Sequence, residues 1–155
     1  MRMRVNPASP FARKVRIVAR ETGLIQRLEE IETAVSPVTP NDDLAGANPL
    51  VKIPALVLDD GSTLYDSRVI AEYLDSLAGG RLIPASGTER WNELRLQALC
   101  DGILDAAVLT RYETAVRPKP QQWGDWIAGQ RRKIDGGLKA LEAEHAGWGE
   151  RFRIG

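Results

Sequence analysis

The segment from Asn48 to Ser67 restricts the possible folds more than any other part of the sequence. It reads NPLVKIPALVLDDGSTLYDS. Residues 55–58 form a short apolar run with β-branched content, and residues 63–65 can return as a partner strand. Between them, Asp60-Gly61 is typical of a two-residue primed turn. The pattern predicts a β-hairpin that leads directly into a helix.

Asp66 and Ser67 stand at the start of that helix, before apolar residues at helical spacing: Val69, Ile70, Tyr73, Leu74 and Leu77. Either side chain can accept a hydrogen bond from the free N–H groups of the first turn. A helix start also offers unpaired donors and a positive dipole, which suit a carboxylate or a phosphate. Alternatively, Asp66 and Ser67 could serve only as helix caps, a role for which both residue types are common.

Pro54 restricts the backbone just before the first strand of the hairpin. Proline has no N–H to donate to a neighbouring strand, so it is expected at the strand's first residue or after a cis bond. This leaves the backbone of Ile53 free to pair with another segment. The alternative is that Pro54 only marks the strand boundary.

The residues before the hairpin alternate between predicted strand and helix. Arg2–Asn6 and Leu28–Val35 are predicted strands, and a helix is predicted from Pro10 to a stop at Gly23. Residues 36–48, rich in Pro, Asn and Asp, form a loop or a short irregular helix. The order is strand, helix, strand, loop, strand, strand, helix.

The residues after the hairpin helix are predicted to be helical. A linker with Pro84 and Gly87 leads to two long apolar stripes, which are separated at Pro118-Lys119-Pro120. The second stripe includes Trp123 and Trp126.

Composition excludes several classes of protein. The 21 basic and 21 acidic residues give no net charge, so no field suited to nucleic acid is indicated. One cysteine, Cys100, excludes an intramolecular disulfide and fits a reducing compartment. With a single histidine, His145, no zinc site is expected, and the predicted metal content is none. No run is long enough to cross a membrane, so we expect a soluble, cytoplasmic protein.

The hairpin segment, together with SPFARKVRI at residues 9–17, resembles the glutathione transferases, in particular the bacterial serine-type members. The resemblance implies a thioredoxin-like domain with a mixed four-stranded sheet at residues 1–78. A linker at 79–87 and an all-α domain at 88–155 follow. Family members continue for several tens of residues beyond a segment like 152–155, so the α domain is expected to be incomplete.

The resemblance implies that Ser9 is the catalytic residue and stabilises the thiolate of glutathione, with support from the positive end of the first helix. Helix capping is the alternative role of Ser9. Asp66 would meet the ammonium group of glutathione, and Ser67 the γ-glutamyl carboxylate. Ile53 would pair with the cysteinyl backbone, beside a cis Pro54.

Three further assignments depend on the same resemblance. Lys52 would meet the glycyl carboxylate, or is an exposed loop lysine. Phe11, in the first turn of the helix predicted from Pro10, would lie beside the expected glutathione. Candidates to line the pocket of a small hydrophobic electrophile are Phe11, Arg111, Tyr112 and Trp123, all of which also suit ordinary core or rim positions.

The function implied is conjugation of reduced glutathione, the co-substrate, to an electrophile, as in detoxification, or reduction of a peroxide. Serine at position 9 cannot form the mixed disulfides that cysteine supports. A non-catalytic binding or regulatory module is one alternative, and a glutathione-dependent isomerase or dehalogenase is another. The resemblance also implies a homodimer.

Overall fold

A mixed four-stranded sheet organises the first part of the chain. The computed structural model describes residues 1–149 and 152–154. The strands are β1 (Arg2–Val5), β2 (Glu29–Glu32), β3 (Ala55–Val57) and β4 (Thr63–Leu64). Their order is β2-β1-β3-β4, with β1 parallel to β2 and antiparallel to β3, and with β3 antiparallel to β4. The predicted thioredoxin-like sheet is confirmed.

Three helices accompany the sheet: α1 (Pro10–Glu21), α2 (Asp42–Ala47) and α3 (Ser67–Leu77). Helix α1 packs against α3. The fully buried side chains of these two helices are Ala12, Val15, Val18, Ala19, Ile70, Ala71 and Leu74, and they follow the apolar stripes of the sequence. Burial of these stripes places the starts of both helices in one packed unit.

Strand β2 is shorter than the predicted strand at 28–35. Its register runs from the pair Arg2↔Glu29 to the pair Val5↔Glu32, and the Thr33 N–H then donates to the Val5 carbonyl at 2.7 Å. Since β1 offers only four residues to pair with, β2 ends where its partner ends. The length of β2 is therefore set by its partner β1, and the sequence of β2 alone does not predict it.

The hairpin turn differs from the predicted two-residue turn. The Gly61 N–H donates to the Leu58 carbonyl at 3.1 Å, and the Leu58 N–H donates to the Ser62 carbonyl at 2.8 Å. Gly61 has φ +86°. This is a three-residue loop in which a turn is followed by a left-handed glycine. The prediction of a hairpin is confirmed, and the loop length was wrong by one residue because strand register sets it.

The connection after α3 is held by a buried carboxylate. Asp75, 2% exposed, accepts the backbone N–H groups of Arg81, Leu82 and Ile83 at 2.9, 2.9 and 2.8 Å. Arg90 donates to Glu72 at 2.6 Å on the same side of α3. These contacts fix residues 78–86 against the helix that precedes them.

The rest of the chain is helical, in α4 (Gly87–Ala115) and α5 (Gly124–His145). The break at Pro118-Lys119-Pro120 is confirmed by a single 3-10 turn at Lys119–Gln121. The chain divides into two compact units, Met1–Arg90 with Ile154, and Trp91–Arg153. The domain limits predicted from the sequence stay a prediction.

Within the second unit, α5 approaches α4 closely at Gly137. A Cβ atom there would lie 2.5 Å from Cγ1 of Ile103. Several aromatic side chains of this unit are exposed, with Trp91 at 68% and Trp123 at 62%. Across the described residues, we find no helix with the length and apolar character that a membrane crossing requires.

Candidate functional site

Ser9 caps helix α1. Its hydroxyl oxygen accepts the Ala12 N–H at 3.2 Å, and its own N–H donates to the Asn6 carbonyl at 3.0 Å. The side chain is half-buried. Because the hydroxyl oxygen acts as acceptor toward the helix, its proton is available for an acceptor outside the helix. The predicted cap is confirmed, and this geometry allows the cap to donate a hydrogen bond at the same time.

The backbone N–H and C=O of Ile53 are available for pairing, as the position of Pro54 predicts. The Ile53-Pro54 bond is cis, as expected, and Pro54 is buried. In the described part of the chain, no hydrogen bond joins the N–H or C=O of Ile53 to another residue. Both groups are therefore available to an extended ligand backbone, while the neighbouring Lys52 is exposed.

Asp66 and Ser67 form the start of α3. Asp66 accepts the Arg68 N–H at 2.9 Å and forms an ion pair with the Arg68 guanidinium at 3.0 Å. Burial on its own raises the pKa of Asp66, but the hydrogen bonds from the guanidinium and backbone N–H of Arg68 and the charges of Arg68 and Lys14 outweigh it, and the pKa lies below its usual value. Ser67 is 2% exposed and begins the helix. The predicted cap is confirmed at Asp66, which stays ionised at neutral pH.

Lys14 does not lie on the solvated helix face to which the sequence pattern alone assigns it. The basic residues of α1 suggest such a face, and Arg13 and Arg20 are indeed exposed. Lys14, however, is only 7% exposed, and its charge acts on Asp66. Arg16 is not free either, since it donates to Glu30 at 2.6 Å.

The spacing of α1 contained a signal for this burial. Position 14 lies three residues after Phe11 and four before Val18, so it shares their face of the helix. A lysine can bury its methylene groups on such a face while its ammonium reaches a charged neighbour.

Comparisons with known proteins agree with this geometry. A family profile described as Glutathione S-transferase, N-terminal domain matches residues 8–77. A solved structure of a glutathione transferase family member from Pseudomonas fluorescens Pf-5, with bound glutathione, is 49% identical. It has a TM-score of 0.94, and the match covers 99% of this chain and 76% of that one. The chain belongs to the glutathione S-transferase superfamily. The resemblance drawn from residues 9–17 and 48–67 is thereby confirmed, and the serine-type subclass stays a prediction.

Two curated relatives are matched over a smaller share of their own length than the Pseudomonas structure is. An uncharacterized GST-like protein of Escherichia coli K12 is 35% identical over 136 residues, 86% of this chain. The chain spans 64% of the length of that relative. A stringent starvation protein A homolog of Haemophilus ducreyi is 42% identical over 65 residues, which is 42% of this chain and 28% of that protein.

The candidates for the electrophile pocket lie in different parts of the transferase fold. Phe11 is half-buried in the first turn of α1. In the second unit, Arg111 is exposed and Tyr112 half-buried on α4, and Trp123 precedes α5. The backbone N–H of Trp123 donates to Oε1 of Glu113 at 2.9 Å, and this bond holds Trp123 at the last turns of α4. Their role as a pocket lining stays a prediction.

Metal ligands are not clustered in the part of the chain that the structure describes. No group of three or more His, Cys, Asp or Glu side chains there is arranged to hold a metal ion. The polar groups of the candidate site are instead hydroxyl, carboxylate, ammonium and backbone groups, which suit a charged organic ligand.

Proposed function

We propose that this chain binds reduced glutathione in its first unit and uses the glutathione thiolate to attack a small hydrophobic electrophile. The observation that carries the proposal is the packing of α1 against α3, whose starts are capped by Ser9 and Asp66. Lys14, in the second turn of α1, is buried, and its charge acts on Asp66. Ser9 therefore belongs to the same packed unit as the start of α3, whose free N–H groups suit an anion.

The charges of glutathione match these groups one by one. The γ-glutamyl carboxylate would accept hydrogen bonds from the N–H and hydroxyl of Ser67, and its ammonium group would lie beside the ionised Asp66. The cysteinyl N–H and C=O would pair with the open backbone of Ile53, as an added strand does. Lys52, exposed and one residue earlier, is the proposed donor to the glycyl carboxylate.

Ser9 would then lie near the cysteinyl sulfur. A free thiol with a pKa of about 8.5 is only about 3% ionised at pH 7, and a pKa lowered by about one or two units raises that to roughly a quarter or three quarters. The Ser9 hydroxyl, which keeps its proton, would donate to the thiolate. The thiol releases its proton to solvent and the thiolate sulfur attacks an electrophilic carbon. A C–S bond forms, and the leaving group departs with its bonding electrons.

The finer assignments follow from this scheme. Phe11, Arg111, Tyr112 and Trp123 are proposed to line the electrophile side. A homodimer is proposed to cover part of the exposed apolar surface of the second unit, and a cytoplasmic location fits the single cysteine, Cys100.

A second candidate function is a glutathione-binding module without turnover. It is supported by the 42% identity of 65 residues to a stringent starvation protein A homolog. The same groups would then bind glutathione, and Ser9 would serve only as the cap of α1.

Calorimetry with reduced glutathione and a conjugation assay with a chloro-dinitro aromatic substrate test both functions. We expect the wild type to bind and to turn over, and Ser9→Ala to bind similarly with kcat at pH 7 lowered about 8- to 25-fold, as a fall of the thiolate fraction from roughly a quarter or three quarters to about 3% implies. Ser9→Thr keeps a hydroxyl and a cap and should retain most of kcat.

Ser36→Ala is the matched control, because the Ser36 hydroxyl also accepts a backbone N–H, that of Val38 at 3.3 Å, in a loop. Its kcat should equal that of the wild type. Binding without turnover would favour the module. Turnover untouched by Ser9→Ala would reject the serine mechanism, and absence of binding would reject the site.

A further inference from the structure

The side chain of Asn48 forms a buried anchor for the loop that leads to Ile53. It is 2% exposed, and both ends of its amide are used. Oδ1 accepts the Leu50 N–H at 3.0 Å, and Nδ2 donates to the Lys52 carbonyl at 2.9 Å. The backbone N–H of Asn48 donates to the Leu44 carbonyl at 2.8 Å, which ties the anchor to the end of α2.

Other side chains of this loop contribute little to holding it. Pro49, Leu50 and Lys52 are exposed, with Leu50 at 66%. Val51 has φ +53°, a left-handed conformation that a β-branched residue rarely adopts. The Asn48 amide bonds the N–H just before Val51 and the C=O just after it, so it holds both flanks of the strained residue.

The bond to the Lys52 carbonyl also determines where Ile53 points. The carbonyl of Lys52 and the N–H of Ile53 belong to one planar peptide group, in which they point in opposite directions when the bond is trans. With the carbonyl directed at the buried Asn48, the Ile53 N–H is directed away from it. The orientation of the proposed ligand-pairing group is thus set by a side chain five residues earlier.

We infer that Asn48 is a positioning residue for glutathione binding, which acts by orienting the peptide group between Lys52 and Ile53. The inference rests on the proposed function, since it concerns the Ile53 contact with the cysteinyl backbone. Asn48 itself touches neither the thiol nor the electrophile in this scheme. Its contribution is to affinity for glutathione and not to the chemical step.

Asparagine is specifically suited to this position. Alanine removes both hydrogen bonds. Aspartate keeps an acceptor for the Leu50 N–H but loses the donor, and it places a carboxylate against the Lys52 carbonyl. Asn48→Asp therefore removes the bond that orients Ile53 while keeping the other, and it separates the two effects.

The test compares Asn48→Ala and Asn48→Asp with the wild type by calorimetry with reduced glutathione and by steady-state kinetics. We expect the Kd and the KM for glutathione to rise at least about tenfold, equivalent to about 1.4 kcal/mol. kcat at saturating glutathione and the KM for the chloro-dinitro aromatic substrate should stay within about twofold, since Ser9 is unchanged. A purely structural role would not separate these constants.

Asp75→Asn is the matched control. Asp75 is equally buried, at 2%, and also holds a loop through backbone N–H groups, but at the far end of α3 from Asp66. It should lower the melting temperature and leave the Kd for glutathione unchanged.

The outcomes separate this inference from the proposed function. If the wild type fails to bind glutathione, the proposed function fails, and this inference fails with it. If the wild type binds and a folded Asn48 variant binds within about twofold of it, the inference alone is overturned. Where Asn48→Ala does not fold, Asn48→Asp decides, and if neither folds, Asn48 is a stability residue and the positioning role is rejected.

Discussion

The charge of the buried Lys14 on α1 acts on the Asp66 carboxylate at the start of α3. Burial of Asp66 raises its pKa, and the hydrogen bonds and charge of Arg68, followed by the charge of Lys14, reverse this effect. A lysine carried by one helix thus helps to keep the capping carboxylate of another ionised. Local hydrogen bonding and packing between helices act together at the proposed ammonium site.

The pH dependence of Asp66 follows from the sign of this shift. Its pKa in the folded protein lies below the ordinary value of 3.8, so its stabilising contribution is complete above that value and is lost as the pH falls through the lowered pKa. Arg68→Gln should raise the Asp66 pKa more than Lys14→Met does, because Arg68 supplies hydrogen bonds as well as charge. Carboxyl NMR titration of both variants measures this order. An equal or reversed order would contradict it.

The contact between α4 and α5 gives a test of packing. Gly137→Ala should lower the free energy of unfolding by about 1–3 kcal/mol, because the added methyl would lie 2.5 Å from Cγ1 of Ile103. Gly136→Ala, at the neighbouring exposed glycine with no atom within 4 Å, should raise it by about 0.5–1 kcal/mol through helix propensity. Denaturant unfolding of both variants measures the difference. Equal effects would show that α4 and α5 are not in close contact at Gly137.

Much of the fold was predictable because its determinants are local. The stripe of α1, its cap at Ser9 and the cap of α3 at Asp66 each depend on residues within a few positions of one another. The loop of the hairpin and the length of β2 were not predicted correctly, because both depend on strand register. Register is a relation between distant segments that no local pattern contains.

The residues of the candidate site also fall into two groups, those that the local sequence predicts and those that depend on packing or conformation. The chemistry proposed for Ser9, Asp66 and Ser67 depends on helix starts, which the sequence marks. The burial of Lys14 needs the packing of α1 on α3. The anchoring role of Asn48 needs the left-handed conformation of Val51, which no residue preference predicts for valine. The helix starts were therefore predictable, whereas the burial of Lys14 and the anchoring role of Asn48 were not.

The glycine of the hairpin loop gives a test of the corrected turn. Gly61→Ala should lower the free energy of unfolding by about 1–2 kcal/mol, because Gly61 has φ +86° and alanine is disfavoured there. Gly46→Ala in α2 is the control, since Gly46 has no positive φ and no atom within 4 Å of an added Cβ. Thermal melts of both variants measure the difference. We expect Gly46→Ala to leave the free energy of unfolding unchanged or to raise it. A tolerated Gly61→Ala would argue against the left-handed loop.

The carboxylate of Asp75 gives a test of the connection after α3. Asp75→Ala would leave three N–H groups without their acceptor, those of Arg81, Leu82 and Ile83, of which Ile83 is buried. We expect the free energy of unfolding to fall by about 3 kcal/mol. The adjacent exposed Ser76→Ala should change it by less than about 0.5 kcal/mol. A loss at Asp75 no larger than at Ser76 would contradict the anchoring role of this carboxylate.

The thiol pKa of bound glutathione tests the proposed role of Ser9 most directly. The hydroxyl oxygen of Ser9 accepts the Ala12 N–H at 3.2 Å, which leaves its proton free to donate to a thiolate. The thiolate absorbs in the ultraviolet, so a pH titration of the complex gives the pKa. We expect a value about one or two units below that of free glutathione in the wild type, a rise toward the free value in Ser9→Ala, and recovery in Ser9→Thr. If Ser9→Ala left the thiol pKa unchanged while glutathione still bound, the helix dipole alone would account for the ionisation, because the dipole does not depend on the side chain at position 9.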